Sequence, residues 1–163
     1  MKTARLLKAM QGTHRTADQL FHQGNYQGSI ECFNKALEIY KSLSEYQLVD
    51  CGRFEASIYA GLSAAYGRLG KHLESFASAN KALVFYDQFG DNYPADTGRW
   101  LMAQVNQGTA LAALGCLAQA IEALQLAKQI FTNKGLDAAQ NDQWLEMVDG
   151  NITAIYTQMK KNK

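Results

Sequence analysis

The sequence predicts an all-α fold, a stack of antiparallel helix pairs with about seven helices. Three observations predict it. Apolar residues recur at helical spacing along an alanine-rich chain of 163 residues. A single proline, Pro94, is present, and the β-branched runs that mark strands are missing. Three glycine turns stand at nearly equal intervals: Gln23-Gly24-Asn25-Tyr26, Leu69-Gly70-Lys71-His72 and Leu114-Gly115-Cys116-Leu117, with 46 residues from the first glycine to the second and 45 from the second to the third.

Each glycine is placed to end one helix in the left-handed conformation that other residues adopt only at a cost. Around each turn the same residue sizes recur. Seven positions before the glycine stand Ala17, Ser63 and Gly108; five after it, Ser29, Ser75 and Ala120; twelve after it, Ala36, Ala82 and Ala127. Side chains this small let two helices approach closely where they cross. Large apolar residues alternate with them at matching offsets: Leu20, Tyr66 and Leu111 before the turn, Ile30, Phe76 and Ile121 after it, then Ile39, Phe85 and Ile130. One unit is written three times.

The helices follow in order. The first pair is A1, from about Thr3 to Gln23, and B1, from about Tyr26 to Leu43. A2 covers roughly Gly52 to Leu69 and B2 Lys71 to Phe89. Gly90 to Pro94 reads as a loop, with Pro94 suited to the first turn of A3. A3 runs to Leu114, and B3 from Leu117 to Asn133, where Lys134-Gly135 marks a stop. A seventh helix spans about Ala138 to Lys161. Its apolar stripe of Trp144, Leu145, Val148, Ile152 and Ile155 is suited to covering the open face of the last unit. Trp100 is expected to be buried between neighbouring units, and Asp91 and Asp96 to cap helices.

The unit resembles the tetratricopeptide repeat (TPR). The segment Gln23-Gly24-Asn25-Tyr26, then Ser29-Ile30, Phe33 and Ala36-Leu37, carries the likeness best. The second and third units depart from it after the turn, at His72 and Leu117. They depart again in mid-helix B, where Ala79 and Leu124 replace Phe33. The proline that usually ends helix B is missing, and the period exceeds the usual repeat of about 34 residues. The extra residues lie between units, Lys41 to Phe54 and Asp87 to Arg99. The resemblance implies a single TPR-like domain over residues 1–163, a right-handed superhelical α-solenoid. Its repeats would be about 3–44, 52–89 and 95–133, with a capping helix at about 138–161.

The resemblance also implies a function: a protein–protein interaction scaffold or adaptor that holds a peptide or helical segment in a concave groove lined by the A helices. The positions that face such a groove are His14, Asp18, Phe21 and His22 from A1, Ala60, Ala64 and Arg68 from A2, and Met102, Asn106, Thr109 and Ala113 from A3. Some relatives clamp a chaperone's terminal carboxylate with Lys, Asn and Arg. Here the matching positions are His14, Asp18, Gly61, Met102 and Asn106, which supply no such clamp, and Asp18 would repel a carboxylate. The alternative is a self-associating module, a dimer or filament paired through its apolar end faces.

Other classes find less in the residues. His14, Asp18 and His22, spaced i, i+4, i+8, share a helix face and are possible metal ligands. They span about 12 Å of axis, too far to surround one ion. No nucleophile elbow, zinc-protease motif or phosphate loop is present, so neither an enzyme nor a cofactor or metal protein is expected. The net charge of +1 gives no electrostatic case for nucleic acid. No apolar run is long enough to enter a membrane. Three cysteines, Cys32, Cys51 and Cys116, lack disulfide or zinc spacing and suit a cytoplasmic protein.

Overall fold

A computed structural model describes residues 2–45, 51–134 and 138–163, and no strand occurs among them. Seven α-helices follow in order: α1 (Lys2–His22), α2 (Tyr26–Ser44), α3 (Cys51–Arg68), α4 (His72–Phe89), α5 (Thr97–Ala113), α6 (Leu117–Lys134) and α7 (Ala138–Lys161). Helices α1 and α2, α3 and α4, and α5 and α6 pair as hairpins. Each hairpin packs on the next through α2 with α3 and α4 with α5, while α7 lies against α6.

The three hairpin turns are built alike. Gly24, Gly70 and Gly115 have φ of 80°, 72° and 86°, the left-handed conformation that glycine adopts cheaply. One residue further on, the N–H groups of Asn25, Lys71 and Cys116 each donate back to the carbonyls of Leu20, Tyr66 and Leu111, at 2.9 Å in all three. That 6→1 bond satisfies a carbonyl the ending helix would otherwise leave open. In the first turn the Asn25 side chain also accepts from the Gly28 N–H at 2.9 Å, capping α2.

All nine small positions of the repeat are buried. Two of the hairpins go further than close approach. The Ser29 hydroxyl donates to the Ala17 carbonyl at 2.8 Å, and the Ser75 hydroxyl donates to the Ser63 carbonyl at 2.7 Å. These bonds cross from the second helix of a pair to the first at equivalent places. Each buried bond of this kind contributes about 1 kcal/mol. The third hairpin has Ala120 there. A Cβ on Gly108 would lie 2.7 Å from Leu124 Cγ and 3.3 Å from the Ala120 carbonyl oxygen, so the helices meet too closely for any side chain at 108.

Between units, Gly61 of α3 receives the ring of Phe33 from α2; a Cβ there would stand 2.2 Å from Phe33 Cζ. Trp100 is buried, stacked on Tyr86 at 6.5 Å between centroids, and its indole N–H donates to Asp87 at 3.3 Å. Two apolar clusters result. One gathers residues of α1 to α5 around Phe33, Ile58, Leu83 and Tyr86. The other joins α5, α6 and α7 around Leu101, Leu124, Phe131 and Val148, and Ile130 packs against both. Trp144, Leu145, Ile152 and Ile155 of α7 belong to the second, so α7 covers the last hairpin.

The junction before α5 differs from the sequence expectation in two respects. Residues Gly90–Asn92 and Pro94–Asp96 form two short 3₁₀ turns. Pro94 opens the second of these rather than α5, which begins at Thr97, whose hydroxyl donates to the Pro94 carbonyl at 2.9 Å. Asp96 precedes α5 without a side-chain capping bond because Arg53 takes its carboxylate in a two-point contact, Nε at 2.7 Å and Nη2 at 3.1 Å. Gly135, the second residue of the predicted stop, lies outside the described residues.

Gly61→Ala tests the contact between the first two units. Overpacking of this kind costs about 1–3 kcal/mol. Urea unfolding should show that loss, and the double variant Gly61→Ala/Phe33→Leu should recover part of it. Full stability in the single variant would mean that Phe33 does not seat on α3.

Candidate functional site

The first helices of the three pairs stand side by side, α3 against both α1 and α5. Their inward faces differ in bulk. At its C-terminal end α1 presents Phe21 and His22; α3 presents Ala64, Gly67 and Arg68; α5 presents Met102, Val105, Asn106 and Thr109. The small residues of the middle helix leave a depression between the larger flanks. Helix α7 supplies the remaining wall with Trp144, Met147 and Asn151, and the enclosed cavity measures about 530 Å³. His72 and Ser75 of α4 reach its lining as well.

Two further hollows continue it. One, of about 410 Å³, shares Phe21, His22, Ala64, Met102 and Trp144 and extends to Asp18, Gly61 and Arg99. The other, of about 380 Å³, shares Thr109 and Asn151 and extends along α5 and α7 to Ala113 and Ile155. Together they form a groove with three lobes.

Most residues predicted to face the groove converge there: Asp18, Phe21, His22, Ala64, Arg68, Met102, Asn106, Thr109 and Ala113. Two stand elsewhere. Ala60 is fully buried in the core, so it cannot meet a partner. His14 is absent from the lining because its ring is held edge-on between Phe33 and Phe54, at 5.5 and 5.6 Å. Trp144, Met147, Asn151, His72 and Arg99 are lining residues that the repeat pattern did not indicate. For α7 the apolar stripe that holds Trp144 was a signal of packing on the last unit and gave none for the groove. For Arg99 there was no signal, since its partner lies 81 residues away.

That partner is Asp18. Arg99 Nη2 donates to Asp18 Oδ2 at 2.5 Å, and His14 Nδ1 lies 3.3 Å from the same oxygen. Burial raises the carboxyl's pKa, but the hydrogen bonds and charges of His14 and Arg99 outweigh it and hold Asp18 below the ordinary carboxylate range. On its other side His14 Nε2 meets the Ser57 hydroxyl at 2.9 Å. Ser57, His14, Asp18 and Arg99 thus form a polar strut across α3, α1 and α5.

The order Ser–His–Asp is that of a hydrolytic relay. Ser57, however, stands within α3, where backbone N–H groups bond along the helix instead of converging on a common point, so no oxyanion site accompanies it. Nor do His14, Asp18 and His22 converge on one point. His14 and Asp18 meet each other, while His22 packs edge-on against Phe21 at 5.7 Å. The described residues contain no cluster of His, Cys, Asp and Glu able to hold a metal ion.

A family model described as Domain of Unknown Function (DUF3856) matches residues 8–143. Among solved structures, a TPR-like protein from Chlorobium tepidum is similar with a TM-score of 0.87 and 21% identity, over 95% of this chain and 99% of that one. The TPR2B domain of yeast Sti1, in complex with pHsp70, is similar with a TM-score of 0.58 and 20% identity, over 88% of this chain and 98% of that one. The likeness establishes the TPR-like α-solenoid. No curated protein matches. No helix among the described residues is long and apolar enough to cross a membrane.

The Asp18 strut has a pH signature. A carboxyl held below its ordinary range stabilises the fold fully above its unfolded pKa of about 3.9, and that contribution is lost as pH falls through the lower folded value. Asp18→Asn should therefore be less stable than the wild type at pH 7 by urea unfolding, and the difference should shrink below about pH 4. A difference unchanged from pH 7 to pH 3 would remove the ion pair from the account.

Proposed function

The chain belongs to the DUF3856 family, a domain of unknown function, and from its geometry we propose that it is a non-catalytic scaffold that holds a peptide or helical segment of a protein partner in the groove of α1, α3, α5 and α7. One observation carries this reading. Side chains from all three repeats and from the last helix, among them Phe21, Ala64, Met102 and Trp144, line the same two adjoining hollows. An apolar groove flanked by polar groups suits a helix or an extended segment. The TPR2B domain, whose fold this chain shares, is itself in complex with pHsp70. We take residues 1–163 as one domain acting as an adaptor, cytoplasmic, with neither nucleic acid nor cofactor as its ligand.

The partner is not expected to be a chaperone tail. At the positions where relatives clamp a terminal carboxylate, Gly61 lies under Phe33, Met102 is apolar, and Asp18 is spent on Arg99. The expected repulsion by Asp18 gives way to a neutralised pair, yet no Lys or Asn clamp takes its place on α1.

A second reading, self-association, draws on α4. Leu73 and Val84 lie on its outer side with 66% and 74% of their surface exposed. Apolar residues so open are suited to pairing with a second copy.

Met102→Trp should fill the groove, and Val84→Glu should charge the outer side of α4 without touching it. In affinity capture from native lysate, partners should be lost with Met102→Trp and kept with Val84→Glu. The reverse result would move the interface to α4, and light scattering over a range of concentrations would then show an oligomer that Val84→Glu dissolves.

A further inference from the structure

The cavity between α1, α3, α5 and α7 is unbalanced in charge. Its lining holds Arg68, His22 and His72 and no acidic residue. Asp18, in the adjoining lobe, is paired with Arg99 and His14. Arg68 forms no ion pair or hydrogen bond among the described residues. Its guanidinium stands over the Phe21 ring at 6.0 Å, and the His22 ring meets the edge of the same Phe21 at 5.7 Å. Arg68 and His22 thus both lie against Phe21, beside a hollow whose exposed walls are mainly apolar.

The rest of the lining includes apolar side chains of another chemistry. Trp144 and Met147 come from α7 and Met102 from α5. Aromatic and thioether side chains adapt closely to apolar ligands. At about 530 Å³ the cavity falls within the range that holds small organic molecules, which bury an apolar body against such walls and fix one polar group. A guanidinium with no ion pair among the described residues is suited to a planar carboxylate, which it can engage at two points.

We propose that this cavity binds a small apolar carboxylate, its acid group on Arg68 with His22 and His72 alongside, and its aromatic or aliphatic body against Met102, Met147 and Trp144. The site is the central lobe of the groove proposed for a protein partner; the two readings share Met102 and Trp144 and differ in the class of occupant. Its anchor, Arg68, lies in the last turn of α3 and is not among the positions where relatives clamp a chaperone tail.

The test is isothermal titration of the full chain with 4-phenylbutyrate, octanoate and indole-3-acetate, each against its neutral amide. At least one acid should bind, its amide about tenfold or more weaker, and Arg68→Gln should lose a similar factor while Arg68→Lys keeps part of the affinity. Met102→Trp should abolish binding, and Lys41→Glu, on α2, should leave it unchanged. Circular dichroism confirms that the variants fold. Equal binding of acid and amide, indifference to Arg68→Gln, or no binding by any of the three acids would overturn the assignment. So would tighter, Arg68-dependent binding of the blocked acidic peptide Asp-Glu-Leu-Phe-Asp-Glu, which would assign the site to a partner protein's side chains instead. Partner capture by the groove is read separately, so that reading can fail without this one, and this one without it.

Discussion

The structure depends on how closely the two helices of each pair can cross. An α-helix with ordinary side chains packs at about 8–10 Å from its neighbour. Where Ala17 meets Ser29, or Ser63 meets Ser75, the smaller side chain allows a hydroxyl of one helix to reach a carbonyl of the other. That carbonyl already accepts a bond within its own helix, so the serine uses its second lone pair and leaves the helix intact. In the third pair Gly108 and Ala120 do without the hydroxyl and rely on contact, with Leu124 filling the space above Gly108. Approach is conserved in kind across the three pairs while its chemistry changes.

This constraint sets the outer geometry as well. With each pair closed on its small residues, the large side chains must point to the next pair or to the groove. Phe33 goes to the next pair, onto Gly61, and Trp100 of α5 goes back to the preceding one, toward Tyr86 and Gly90. The first helices are thereby brought side by side with their remaining residues facing one concavity. The Ser57, His14, Asp18 and Arg99 strut spans the same three helices in polar form, beside the apolar cluster that also joins them.

Much of this was legible in the chain because the turn and the crossing are local. Gly24, Gly70 and Gly115, with small residues at fixed offsets, lie within a span of about twenty residues each, and helical spacing links them directly. Helix ends in the structure fall within a residue or two of those expected. The site was less legible because its residues come from different units. The A-helix positions could be aligned through the repeat, which is how Phe21, Ala64 and Met102 were found. That alignment cannot tell a groove wall from a core residue one turn away, which is why Ala60 was misplaced. His14 was misplaced because two aromatic rings from other helices, Phe33 and Phe54, claim its faces. Nor could the alignment see α7, which belongs to no repeat, or the pairing of Arg99 with Asp18.

The glycines of α3 and α5 separate packing from function. At Gly61 a Cβ would stand 2.2 Å from Phe33, and at Gly108 2.7 Å from Leu124, so a side chain at either must displace a packed neighbour. At Gly67 the nearest atoms to a Cβ would be the Ser75 hydroxyl at 3.4 Å and the Asn106 carbonyl oxygen of its side chain at 3.9 Å, which is ordinary contact. Helix packing would accept alanine there, and alanine would favour the helix by roughly 1 kcal/mol. What a larger residue at 67 would reduce is the hollow between Phe21, Val105 and Trp144 that Gly67 lines. The helix gives up stability at that position, and the space it leaves is part of the candidate groove.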